Sequence, residues 1–193
     1  RSARSHVLDG GCPAPPRPRL LSGEPKEGSV SEPSPITRAV RAGIDTDLTH
    51  GAVVPPVYLS TTYTFEQFGV PRAFDYARRG NPTRSTLAQA IADLECGAGA
   101  VVTASGMGAI LLMMMGLLKA GDHVICSRSV FGSTIKLLGS ELAKFGVETS
   151  FVNQTDVAQW RAAIRPSTRL LFAETPTNPL TEVCDIRALA DLA

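Results

Sequence analysis

From Ala100 onward, short β-branched or apolar runs alternate with longer helical patterns, and this alternation limits the chain to a small set of folds. Ala100–Thr103, His123–Cys126, Val147–Val152 and Arg169–Glu174 read as strands of the fully buried kind. Between them lie helical patterns at Ala109–Leu118, at Thr134–Phe145 closed by Gly146, and at Asp156–Ile164 with Thr155 or Asp156 as cap. A further helix starts at Asp185 and has no stop signal before Ala193. Strand–helix alternation of this kind predicts an α/β fold: a mainly parallel sheet built from βαβ units and covered on both faces.

The first part of the chain is organised differently. Residues 1–35 are rich in Pro, Arg, Ser and Gly without periodicity, and a disordered tail is expected there. Arg1, Arg4, Arg17 and Arg19 are the one feature in favour of an organelle transit peptide, but Pro13, Pro15, Pro16 and Pro18 would break its helix. With no Met at its start, a tail or upstream read-through is the expectation. A short helix is predicted over Thr37–Ile44, and proline-marked, extended chain over Val53–Phe65. Asn81-Pro82-Thr83 opens another helix, with Leu87, Ala90, Ile91 and Leu94 at helical spacing and Gly97 as the stop.

Composition excludes several function classes. A formal net charge of +1 gives no broad field to draw nucleic acid. The longest apolar run, Ala109–Leu118, is about half of a membrane span. His6, His50 and His123 form no cluster, so no metal site is expected. Cys12, Cys96, Cys126 and Cys184 have no paired metal spacing; they read as reduced thiols of a cytoplasmic protein, three of them beside apolar segments.

Two runs carry phosphate chemistry. Ser105-Gly106-Met107-Gly108-Ala109 lies between a predicted strand and a predicted helix, at the carboxyl edge of a parallel sheet. Bare amides at a helix start favour a phosphate, and glycine lets the backbone approach it; tight packing alone would also account for these glycines. The run has neither the spacing of a dinucleotide fingerprint nor the lysine of a P-loop. Tyr76-Ala77-Arg78-Arg79-Gly80-Asn81-Pro82-Thr83 offers a phenol and two guanidiniums just before a helix, a donor set suited to phosphate oxygens. A solvated basic loop is the plain alternative. Ser133-Thr134-Ile135-Lys136 has the Ser-x-x-Lys spacing of serine acyl-transfer enzymes but none of their companion motifs, so Lys136 reads as a solvated helix residue.

The two runs together resemble the Cys/Met metabolism enzymes that use pyridoxal phosphate (PLP), and the resemblance extends over Ile36–Ala193. It includes Gly51-Ala52-Val53-Val54-Pro55-Pro56, Ser60-Thr61-Thr62-Tyr63 and Glu174-Thr175-Pro176-Thr177-Asn178-Pro179. It implies the fold of type-I PLP-dependent transferases: an N-terminal arm over 36–80 making inter-subunit contacts, then an incomplete PLP-binding large domain over 81–193. Tyr76 and Arg78 would cross a subunit interface to grip a neighbouring phosphate, so a homo-oligomer, a tetramer, is implied. The amides of Gly106 and Met107 would hold phosphate, and Asn178 would bond the ring hydroxyl of PLP. The same proline-rich segment also reads as a simple turn after a strand.

Phe131, in Ser129-Val130-Phe131-Gly132, stands where most members have a ring-stacking tyrosine. A phenyl face still stacks, although Phe131 as core is the alternative. This context, with Thr37-Arg38-Ala39-Val40-Arg41-Ala42-Gly43, is similar to the O-succinylhomoserine sulfhydrylase branch. That branch converts O-succinylhomoserine and sulfide to homocysteine and succinate in methionine biosynthesis; cystathionine γ-synthase or a γ-lyase are the neighbouring alternatives. Lys26, Lys119, Lys136 and Lys144 lack the setting of the family's cofactor-linking lysine, which the resemblance places downstream. No catalytic residue is therefore expected among these residues. A non-catalytic remnant or interaction subunit is the reading from another class.

Overall fold

The computed structural model describes residues 32–193, and the expected disordered tail lies, up to residue 31, outside them. The chain divides into two compact units, one ending at Val102 and the other running from Thr103 to Ala193.

In the first unit, α1 (Pro35–Val40) begins behind Ser34, whose hydroxyl accepts from the Thr37 N–H. α2 (Pro82–Leu94) begins behind Asn81, with Pro82 at the first turn where its missing N–H costs nothing. Arg38 donates to the Asp93 carbonyl and fastens α1 to the end of α2 (3.1 Å). The expected stop at Gly97 falls slightly earlier, because Cys96 itself takes the left-handed conformation (φ 55°) and the Gly97 N–H closes back onto the Ala92 carbonyl. Between the helices the chain is extended, as predicted, but its pairing reduces to the isolated bridges Thr62–Tyr76 and Gln67–Val70. Leu48, Val53, Val54, Val57, Leu59, Phe65 and Phe68 are exposed along it.

The second unit holds the parallel sheet. β1 (His123–Ser127) lies between β2 (Glu148–Val152) and β3 (Thr168–Phe172), in the order β2-β1-β3 and parallel to both. β1 is buried at every position, and its side chains serve two cores in alternation. Val124 and Cys126 pack with Met114, Val130, Leu138, Leu142 and Val147 on one face. Ile125 packs with Val152, Trp160, Cys184 and Leu189 on the other. α3 (Gly106–Leu117) and the helical run from α4 (Gly132–Lys136) to Phe145 cover the first face; α5 (Val157–Ala163) and α6 (Ile186–Ala190) cover the second.

Three readings change. Ala100–Thr103 forms no strand: extended chain becomes one only by pairing, and the segment has no ladder partner among the described residues. The helix expected at Thr134 starts at Gly132 and passes through a π turn at Leu137–Glu141 and a 3-10 turn at Leu142–Phe145. Leu138 and Leu142, four residues apart, both lie in the core along this run. Gly146 ends the run at φ 79°, a conformation that favours glycine. Cys96 is exposed, while Cys126 and Cys184 are buried as small hydrophobes.

His123 links all three strands from the middle one. Its ring nitrogens meet Thr168 Oγ1 at 2.8 Å on β3 and Ser150 Oγ at 2.9 Å on β2. A neutral imidazole donates from one nitrogen and accepts at the other, which suits two hydroxyls. Burial first, and the Arg165 charge second, push its pKa below the ordinary 6.5, with Glu148 opposing. The neutral form therefore belongs to the folded state. Its contribution is whole above about pH 6.5 and is lost as the pH falls through the lowered folded-state value. Urea melts at pH 7.5 and pH 5 are expected to show lower stability at pH 5, with a smaller difference in His123→Gln.

Candidate functional site

The carboxyl ends of parallel strands and the helices that follow them are where an α/β sheet binds ligands. Here that edge is built from the turn after β1, the turn after β3 and the first turn of α3.

α3 starts three residues before the predicted helix, so Gly106, Met107 and Gly108 form its first turn. Ser105 is its N-cap in extended conformation, and its hydroxyl accepts from the Gly108 N–H at 3.1 Å. The N–H groups of Gly106 and Met107 have no partner among the described residues. They are the orphan donors of a helix start, on a helix whose dipole favours negative charge. A Cβ at Gly106 would meet nothing within 4 Å, so the side-chain side of this helix start is open.

Met107 also joins α3 to α4, since the Thr134 hydroxyl donates to its sulfur at 3.7 Å. Three residues earlier, Phe131 caps α4 with its ring about half exposed (48%). Among the described residues Phe131 belongs to neither of the two cores. The Phe131 N–H donates to Glu174 Oε2 at 3.1 Å, which fastens the turn after β1 to the chain leaving β3. The structure thus brings Gly106, Met107 and Phe131 into one neighbourhood. Asn178 follows Glu174 on the same loop and is exposed. Thr177 is buried and organises this loop: its hydroxyl accepts from the Glu182 N–H, and its carbonyl from the Thr181 N–H.

Glu174 and Thr134 are the links that motif reading left unassigned. The signal for Glu174 was its place, a carboxylate just past the carboxyl end of a parallel strand. Cys126, beneath the site, is no nucleophile: burial first and the Glu174 charge second raise its thiol to about 12.

Tyr76 and Arg78 belong to the first unit and pair with each other. Arg78 Nη2 donates to Tyr76 Oη at 3.1 Å, and its guanidinium lies 5.4 Å from the ring centroid. Arg79 is instead held by Asp75 at 2.6 Å. The two neighbouring arginines therefore differ: Arg79 is neutralised and Arg78, paired only with a neutral phenol, keeps its charge available for an anion.

Lys119, Lys136 and Lys144 are all exposed, and Lys144 is paired with Glu141 at 2.7 Å. Treating the chain with PLP and then borohydride is expected to leave no stoichiometric adduct at any one lysine. Peptide mapping that found such an adduct, at Lys136 for example, would overturn this. Among the described residues no group of three or more His, Cys, Asp or Glu could hold a metal ion. No helix among them is long and apolar enough to cross a membrane.

Comparison with known proteins gives a consistent set of relatives. Residues 36–193 match the sequence profile described as Cys/Met metabolism PLP-dependent enzyme. Cystathionine gamma-synthase of Escherichia coli (strain K12) is 46% identical over 158 residues, covering 81% of this chain and 41% of that protein. O-succinylhomoserine sulfhydrylase of Pseudomonas aeruginosa is 50% identical over 118 residues, covering 61% of this chain and 29% of that protein. Among solved structures, cystathionine gamma synthase from Xanthomonas oryzae pv. oryzae in complex with cystathionine is similar with a TM-score of 0.76 at 39% identity, over 84% of this chain and 42% of that one. The chain spans less than half the length of these relatives.

Proposed function

Because the chain belongs to the Cys/Met metabolism PLP-dependent enzymes, we propose that it supplies the cofactor-holding front part of an O-succinylhomoserine sulfhydrylase. The complete protein would exchange the succinyl ester at the γ carbon of O-succinylhomoserine for sulfide, giving homocysteine and succinate. One observation carries the cofactor part of this reading: two partnerless N–H groups at the start of α3 lie in the same neighbourhood as a half-exposed phenyl ring. A phosphate and a planar heterocycle fit that donor set.

When bound, PLP supplies an electron sink for bond-breaking next to the amino-acid nitrogen. This chain's residues hold and orient it. The Gly106 and Met107 amides bind the phosphate, and the dipole of α3 favours its charge. Phe131 presents a ring face for stacking, kept in place by Glu174. Asn178, on the loop after β3, offers its carboxamide to the ring oxygen. Tyr76 and Arg78 supply a neutral donor and a cation for a phosphate across a subunit interface. The exposed apolar side chains of the arm, from Leu48 to Phe68, favour cover by a further protein surface, and the family likeness carries the homo-oligomer, a tetramer, in this reading. By this division, 36–80 is an arm and 81–193 part of the large domain.

The sulfhydrylase reading rests on Phe131 in its Ser-Val-Phe-Gly setting and on the likeness to the Pseudomonas aeruginosa enzyme. Cystathionine γ-synthase, with cysteine in place of sulfide, is favoured by the longer match to the Escherichia coli enzyme. The complete protein should be given O-succinylhomoserine with either sulfide or cysteine, and the products identified by mass spectrometry. Faster formation of homocysteine supports the first reading and of cystathionine the second. Turnover with neither discards both.

A further inference from the structure

Asn81 does more than begin a helix. An N-cap needs one acceptor, and Asn81 Oδ1 serves that role toward the N–H groups of Thr83 (2.9 Å) and Arg84 (3.4 Å). Its other end makes two further bonds that no cap requires. Nδ2 donates to the Tyr58 carbonyl at 2.9 Å and to Tyr63 Oη at 3.2 Å. Two donors and two acceptors on one carboxamide leave it saturated and fix which way round it sits.

The strip held by these bonds is the one against which Tyr76 is built. The Tyr63 N–H donates to the Asp75 carbonyl at 3.0 Å and the Ala77 N–H to the Thr61 carbonyl at 2.8 Å, so Thr62 and Tyr76 face each other in an antiparallel bridge. The Tyr63 ring packs on Phe74, with centroids 5.9 Å apart. On the far side, the Tyr58 N–H donates to Thr83 Oγ1 at 2.9 Å, a second tie to the start of α2. Residues 58–63 therefore run between two supports: the first turn of α2 and the backbone of 75–77. Tyr76 and Arg78 are half-buried and exposed respectively, and among the described residues the bridge is the one ladder contact between the strip and their backbone.

We propose that Asn81 is a positioning residue for the Tyr76–Arg78 pair: its carboxamide fastens residues 58–63 to the start of α2, and that strip sets the backbone from which the phenol and guanidinium reach a phosphate. This rests on the reading of Tyr76 and Arg78 as a phosphate grip. The cap function and the positioning function use opposite ends of the amide, and so they separate by substitution. Serine is as good an N-cap as asparagine but has no amide to donate to the strip. It also brings no charge near the anion.

The test compares Asn81→Ser, Asn81→Ala and Arg78→Ala in the complete protein, with PLP affinity measured by equilibrium dialysis. Asn81→Ser is expected to melt above Asn81→Ala, because the cap survives while the two Nδ2 bonds are lost in both. Its PLP dissociation constant should rise about tenfold, the size of one misplaced charge-assisted hydrogen bond. Hydrogen exchange at the Tyr63 and Ala77 amides should quicken in the same variant. Asn81→Ala should match it in affinity while melting lower. If Asn81→Ser binds PLP like the parent while Arg78→Ala binds weakly, the positioning role is wrong and the grip stands. If only Asn81→Ala loses affinity, the effect runs through the cap and the proposal fails. If Arg78→Ala itself binds like the parent, the grip is what fails, and the role of Asn81 falls with it.

Discussion

Gly106→Pro is expected to leave α3 folded and to weaken PLP binding by about tenfold to a hundredfold. Proline is at home at the first position of a helix, where its fixed φ is already correct and the N–H it lacks has no intrahelical partner. Ser105 before it has φ −158° and ψ 157°, the extended conformation that a residue preceding proline prefers. The space around a Cβ at this position is empty to 4 Å. Losing glycine's freedom in the unfolded chain should even add about 0.4–1 kcal/mol of stability. What disappears is one of the two free donors at the helix start. A hydrogen bond to a charged group is worth about 1.5–3 kcal/mol, and the ring would occupy the approach as well. The measurement is PLP affinity of the complete protein beside a thermal melt. An unchanged affinity would move the phosphate away from α3.

Trp160→Ala is the larger perturbation and acts on the fold. Trp160 has no exposed surface, and it packs with Ile125, Val152, Cys184 and Leu189 under the second face of the sheet. Its indole N–H donates to the Gln154 carbonyl at 3.3 Å, so truncation opens a cavity and leaves a buried acceptor alone. Removal of a buried aromatic of this size costs about 3–5 kcal/mol, against a total stability for a domain of about 5–15 kcal/mol. Urea denaturation followed by circular dichroism is the suitable readout, since this is the sole tryptophan. The midpoint should fall sharply or the transition vanish. Trp160→Phe, which refills part of the cavity, should lie between the two. A midpoint unchanged in Trp160→Ala would mean that α5 is not needed to cover the sheet.

Much of the second unit was legible because its signals are local. The apolar run of β1 needs both faces buried, and both are. Asp156 here, and Asn81 in the first unit, cap the helices expected behind them, since a short oxygen-bearing side chain reaches the nearest free N–H whatever surrounds it. Local signals misled where the outcome depended on partners. Ala100–Thr103 has the composition of a strand and no ladder. The π turn at Leu137–Glu141 is a change of hydrogen-bond register that a helical repeat does not announce, since Leu138 and Leu142 share a face in an ordinary helix as well.

The candidate site divides along the same line. Residue types and their order determined the α/β class, the family, the glycine-bearing turn that opens α3 and the aromatic ring at Phe131, because strand burial and motif spacing are properties of neighbouring residues. Only the tertiary structure decided which groups are free to act. Arg79 is taken by Asp75 and Arg78 is not, Glu174 reaches back 43 residues to hold Phe131, and Asn81 ties α2 to a strip 23 residues earlier. Those choices depend on distances between residues far apart in the chain, and no local pattern encodes them.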